Sequence, residues 1–164
     1  KKGFEEAGKG VAMQVAAMSP IALDADSVPQ DVKDTETRNA VEKAKQNQIG
    51  KAVENALKKA GINPAHVDSE DHIESNTAKG WITPEEAVKA REIKAAVAKE
   101  AEANLKEQMI ENIAKGMVAK FYKENCLLEQ AYIDDNKVSV AQYLKSIDKD
   151  LTVTDFKRFT LRAE

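Results

Sequence analysis

Over most of the chain apolar residues recur three or four positions apart, the period of a helix buried along one side. The first such run, from about Glu5 to Met18, sets Val11, Val15 and Met18 at helical spacing with Ala12, Ala16 and Ala17 beside them. Ser19-Pro20 stops it, because proline disfavours the helical region for the residue before it. The pattern predicts a short helix whose small residues let another backbone or helix approach closely.

Asp24, Asp26 and Ser27 stand before Pro29, and a polar cap followed by an early proline marks a helix start. Val32, Ala40, Val41, Ala44, Ile49, Val53, Ala56, Leu57 and Ala60 then predict one long helix with Gly50 as its weak point and Gly61 as its stop. Thr83-Pro84-Glu85-Glu86 reads as a capping box with proline in the first turn. From there Val88, Ile93, Val97, Ala101, Leu105, Met109, Ile113, Met117 and Phe121 predict a single helix to about Asn125. At about 1.5 Å per residue it would be on the order of 60 Å long.

Two long helices with narrow apolar stripes must bury them against each other, so the pattern predicts an antiparallel hairpin. Its tip, Ile62 to Ile82, holds Pro64, His66, His72 and the only tryptophan, Trp81. A structureless connection of about twenty residues is uncommon, so a short helix or turn is expected there, with Trp81 packed across the hairpin end. Beyond Asn125, Leu127 to Ile133 reads as a short strand. Ser139 with Gln142 reads as a second capping box, opening a helix to about Ile147. Leu151 to Leu161 reads as a final strand with Leu151, Val153, Phe159 and Leu161 on one face, and Phe156 out of phase after a bulge near Asp155. The fold class is therefore α+β and mostly α: a long coiled-coil-like hairpin projecting from a small subdomain with a short antiparallel sheet.

Composition narrows the function classes. The 164 residues are 42% hydrophobic, 32% charged and only 5% aromatic, which suits long solvated helices better than one large core. The 25 basic and 28 acidic residues are interspersed, so the concentrated basic face of a nucleic-acid binder is missing. The lone Cys126 has no partner for an internal disulfide, and no apolar run is long enough to span a bilayer or reads as a signal peptide. A cytoplasmic setting follows as the expectation. His66 and His72 lie amid Asp68, Glu70 and Asp71, but no cysteine accompanies them and the spacing fits no common zinc motif. They read as a solvated acidic loop. Neither a glycine-rich phosphate loop nor a nucleophilic signature is present. No cofactor, metal, small-molecule substrate or enzymatic activity is expected.

Four separated segments carry a resemblance. Ala12-Met13-Gln14-Val15-Ala16-Ala17-Met18-Ser19-Pro20, Gln130-Ala131-Tyr132-Ile133, Ser139-Val140-Ala141-Gln142-Tyr143-Leu144-Lys145 and Val153-Thr154-Asp155-Phe156-Lys157-Arg158-Phe159 occur in that order. Together they resemble the C-terminal half of bacterial translation elongation factor Ts, the nucleotide-exchange factor of elongation factor Tu. The resemblance implies that 1–28 with 126–164 form the family's second core subdomain. Residues 29–125 would be an enlarged version of its inserted, dimerisation-type helical hairpin, with a tip at 61–83. The N-terminal domain, the first subdomain and the strands that pair with the final strand would lie outside this chain, leaving a sheet edge open or borrowed.

By the same resemblance, elongation factor Tu contacts Met13, Gln14, Ala17 and Met18 on the first helix and Gln130, Ala131, Tyr132 and Ile133 after the hairpin. Many members have histidine at the Gln14 position, and proline with phenylalanine where Ala131 and Tyr132 stand. Taken alone, Met13 and Met18 suit a core, whereas the hydroxyl of Tyr132 suits a half-wet site. Thr154-Asp155-Phe156 is like the family's nucleotide-displacing Thr-Asp-Phe-Val wedge, but Lys157 follows and the context matches the C-terminal strand, where members have glycine at the Asp155 position. The wedge is absent. The implied role is docking in guanine-nucleotide exchange; the rival reading is a self-association or adaptor module, homodimeric through the hairpin, with no exchange role of its own.

Overall fold

A computed structural model of the chain describes residues 3–161. The fold is α+β and mostly helical, with one two-stranded antiparallel sheet. Helices α1 (Phe4–Met18), α2 (Gln30–Lys59), α3 (Glu70–Ala78), α4 (Pro84–Ala103) and α5 (Glu107–Asn125) precede strands β1 (Ala131–Tyr132) and β2 (Asp135–Ser139), and α6 (Val140–Ile147) follows. The contacts divide the chain into two compact units. One comprises the described residues up to Arg38 and from Lys115 onward, the other Asn39–Ala114.

In the first unit α1 turns Ala7, Gly10, Val11, Gln14 and Val15 inward, the i, i+3, i+4, i+7, i+8 positions of one helical face. Ala7, Val11 and Val15 pack with Leu127, Tyr132, Val140 and Leu144 in one cluster. A smaller cluster joins Ala22, Val28 and Cys126, with Val32 and Tyr122 against it. Between them, residues 21–23 and 125–128 run side by side: Leu127 N–H donates to the Ala22 carbonyl at 2.9 Å and Leu128 N–H to Leu23 at 3.0 Å. The chain then turns, with the Glu129 and Gln130 N–H groups both donating to the Cys126 carbonyl, so the expected strand Leu127–Ile133 shortens to Ala131–Tyr132. Its partner β2 is polar and mostly exposed, without the alternation that reveals a strand. The pair is irregular, with Ala131 opposite Ser139 and Tyr132 opposite Asp135. Ser139 and Gln142 form the full capping box of α6: Gln142 N–H donates to Ser139 Oγ at 3.2 Å and Ser139 N–H to Gln142 Oε1 at 2.9 Å.

The expected final strand is absent, for residues 151–160 form no ladder. Leu151, Val153 and Phe156 lie half-buried against the larger cluster, while Phe159 and Leu161 are exposed, so the face predicted for burial is divided. Without a neighbouring strand among the described residues, side-chain packing rather than alternation decides which residues turn inward.

In the second unit Leu57, Ile62, Val67, Ile73, Ile82, Ala87 and Ala90 share one core. The C-terminus of α2 closes as a Schellman turn: Gly61, at φ +78°, donates its N–H to Lys58, and Ile62 N–H donates to Leu57 at 2.9 Å. Helix α3 ends the same way, with Gly80 at φ +76° and Trp81 N–H donating to Asn76 at 2.9 Å. The second turn corrects the expectation for Trp81. It commits Ile82 to the core, where Ile82 and Ala87 bracket the start of α4 as a hydrophobic staple, and leaves Trp81 61% exposed.

Two further expectations change. Thr83 Oγ1 accepts Glu86 N–H at 3.1 Å, but the Glu86 carboxylate accepts the Thr83 hydroxyl instead of a backbone N–H, so only half the capping box forms. The long helix predicted from Thr83 to Asn125 is broken: Asn104 ends α4 by donating its N–H to both Glu100 and Ala101. Asparagine readily leaves the helical ladder for such an end. After the break the buried positions are Ile110 and Ala114, while Met109 is 46% exposed, so the apolar stripe has moved by one residue. Helix α2, by contrast, passes Gly50 uninterrupted. No helix of the described residues is long and apolar enough to cross a membrane.

Candidate functional site

The eight residues predicted to meet a partner all lie on α1 or at β1, in the first unit. Met13 and Met18 are 57% and 47% exposed, and Ala17 is exposed beside them, so the core role that suits methionine in general does not hold for this pair. Positions 13 and 17 stack one turn apart on the outer side of α1. Ile21, just beyond the end of α1, is also 52% exposed. Ala131 is exposed and Ile133 half-buried.

Gln14, Gln130 and Tyr132 differ: all three lie behind the surface rather than on it. A buried amide must find partners for two donors and its oxygen. Gln14 Nε2 donates to Gln130 Oε1 at 3.2 Å and to the Ala131 carbonyl at 3.0 Å, while Gln14 Oε1 accepts Ile133 N–H at 2.9 Å. Gln130 Nε2 donates to the Glu124 carbonyl at 2.9 Å and the Met18 carbonyl at 3.3 Å, satisfying orphan acceptors near the C-termini of α5 and α1. Both amides are fully used. The sequence signal for Gln14 was a polar residue in phase with Ala7 and Val11 on the inner face of α1; nothing local pointed to its pairing with Gln130.

Tyr132 stacks on Tyr143, ring centroids 4.0 Å apart and planes 10° from parallel. Its hydroxyl end fits over Gly10, where a Cβ would collide with it. Burial, with smaller effects from Tyr143 and Asp134, pushes the Tyr132 phenol up to about 12. Ser19, at φ +47°, turns the chain sharply at the end of this face, an uncommon conformation for a residue with a Cβ.

The second unit carries no comparable grouping. His72 Nδ1 pairs with Asp68 on an exposed turn, which holds the Asp68 carboxyl below its usual range, and no cluster able to hold a metal occurs among the described residues. Arg91 likewise lowers Glu70 through a 2.6 Å ion pair at the surface. Trp81 lies near His66, ring centroids 5.7 Å apart, with Lys79 Nζ 4.9 Å from its ring. A groove of about 400 Å³ is lined by apolar Ile49, Val53, Leu57 and Val67, and the polar side chains on it are engaged elsewhere: Gln46 with Glu42, Glu54 with Lys58, Asp68 with His72, and the Lys94 ammonium with the Val67 carbonyl.

Comparison with known proteins places this geometry in context. Residues 1–163 match the family model described as elongation factor TS. An elongation factor Ts of Bacteroides fragilis is 63% identical over 164 residues, covering 100% of this chain and 50% of its own length. That of Phocaeicola vulgatus is 60% identical over 163 residues, 99% of this chain and 50% of its own. A more distant relative, from Flavobacterium psychrophilum, is 35% identical over 159 residues, 97% of this chain and 38% of its own. The chain spans about half the length of the curated relatives it matches most fully. No solved structure matches it.

Proposed function

The chain belongs to the elongation factor Ts family, and from that premise we propose that it is the C-terminal docking portion of a guanine-nucleotide exchange factor for elongation factor Tu. In this reading 1–28 and 126–164 make up the second core subdomain, and 29–125 form an inserted antiparallel hairpin with its tip at 61–83. Leu57 of α2 and Ala87 and Ala90 of α4, gathered in one core, support the pairing of the long helices.

The observation that carries the proposal is the face formed by Met13, Ala17 and Met18 beside Ala131 and Ile133. It is apolar and exposed except for the half-buried Ile133, and the Gln14 amide bonds α1 to the backbone of Ala131 and Ile133. Exchange needs no bond chemistry. A factor that binds the nucleotide-free state more tightly weakens nucleotide affinity by the same factor, through linkage. The Thr-Asp-Phe-Val wedge does not occur in the sequence, so this chain docks without displacing nucleotide efficiently.

Binding to nucleotide-free elongation factor Tu, with guanine-nucleotide release measured alongside, tests the reading. Measurable binding with slow release supports it. Release as fast as a full-length relative achieves would show that the wedge is dispensable, and no binding at all, with light scattering reporting a dimer, would leave self-association as the role.

A further inference from the structure

We infer that Gln14 and Gln130 are positioning residues, which hold the outer face of α1 in one register against β1 without touching the partner. The inference rests on the docking reading above. Gln14 bonds the carbonyl of Ala131 and the N–H of Ile133, the two outward backbone groups that a neighbouring strand would take. One side-chain amide therefore occupies the place of a peptide unit at the edge of the sheet.

The consequence for the docking face is geometric. Side chains alternate along a strand, so a slip of one residue between α1 and β1 would turn Ala131 and Ile133 inward and Tyr132 outward. Stacking on Tyr143 and the fit over Gly10 oppose that slip from the buried side. Gln130 holds the far end, because the carbonyl of Met18, itself a face residue, accepts its amide. Met13 and Met18 thus flank one clamped residue, while Ala131 and Ile133 flank another. The partner chemistry that fits is an apolar protein surface complementary to methionine side chains.

Gln14→Glu separates positioning from simple support, since glutamate keeps the shape of glutamine. The ionised carboxylate still accepts Ile133 N–H but turns an acceptor toward two acceptors, the Ala131 carbonyl and Gln130 Oε1. A protonated carboxyl donates to one of them. Binding of the full chain to nucleotide-free elongation factor Tu, measured as the ratio of variant to unaltered Kd across pH, should be weakened about tenfold at pH 8 and recover as pH falls. Combined with Met13→Ala, the loss should be smaller than the product of the two single losses, because a misplaced face gains less from its methionine.

Wild-type-like binding by Gln14→Glu at pH 8, or losses that multiply independently, would overturn the inference. Loss of any effect of Met13→Ala would instead sink the docking reading. Should Gln14→Glu fail to fold, hydrogen exchange on the unaltered chain decides: Ile133 N–H exchanging as slowly as core amides supports the clamp, and exchange at the rate of an open edge overturns it.

Discussion

Gly10 lies directly beneath Tyr132: a Cβ added at Gly10 would stand 2.0 Å from the Tyr132 hydroxyl oxygen and 3.2 Å from Cζ. Alanine is worth about 1 kcal/mol more than glycine in a helix, yet here it displaces a ring already stacked on Tyr143. Overpacking of that kind costs about 1–3 kcal/mol. Gly10→Ala should therefore lower stability by a net of up to about 2 kcal/mol in a urea titration, and Tyr132→Phe in the same chain should recover part of it.

The remaining glycines sort by backbone angle. Gly61 and Gly80 adopt φ of +78° and +76° at the two Schellman turns, so alanine at either should cost about 1–2 kcal/mol. Gly50 is helical and a Cβ there meets nothing within 4 Å, so Gly50→Ala should raise stability by about 0.5–1 kcal/mol. Thermal unfolding followed by circular dichroism should rank Gly50→Ala above the unaltered chain and the other two below it.

These positions also mark what was legible in the residue pattern. Gly61 was readable as a helix stop and Ser139 with Gln142 as a helix start, because both signals are local and their partners lie within a few residues. The break at Asn104 was not, since apolar steps of four or five residues look alike whether a helix continues or restarts one position out of phase. Trp81 was misplaced because hydrophobicity favours burial, whereas the turn at Gly80 dictated which neighbour entered the core. At the candidate site the outward residues were named from likeness to a family. For Gln14 only its phase with Ala7 and Val11 hinted at an inward position, and its pairing with Gln130 was invisible, because it depends on residues 116 positions apart in sequence meeting in space.

Cys126 is fully buried, and burial, with Glu129 and Asp24 nearby, pushes its thiol from the ordinary 9.0 to about 11. Since the folded value lies above the unfolded one, the contribution of this group to stability is complete below about pH 9 and declines as pH rises toward 11. Iodoacetamide at pH 8 should label the native chain only at the rate of unfolding, and labelling as fast as a free thiol would contradict the buried placement.

Trp81 offers a readout of the second unit. With 61% of its surface exposed, its fluorescence should be quenched strongly by acrylamide in the native state. Trp81→Ala should change stability by no more than about 0.5 kcal/mol, as for other surface positions. Blue-shifted emission, or a loss of several kcal/mol, would place the indole in the core instead.

On the β1 side of the two-stranded sheet the outer edge is occupied by a side chain and gives other molecules little to copy. The groups on Ala131 and Ile133 that would otherwise template a strand from a second molecule are already engaged by Gln14. The amide that ties α1 to β1 thereby also closes that edge to strand addition, and a sequence that loses it would loosen the helix and open the edge together.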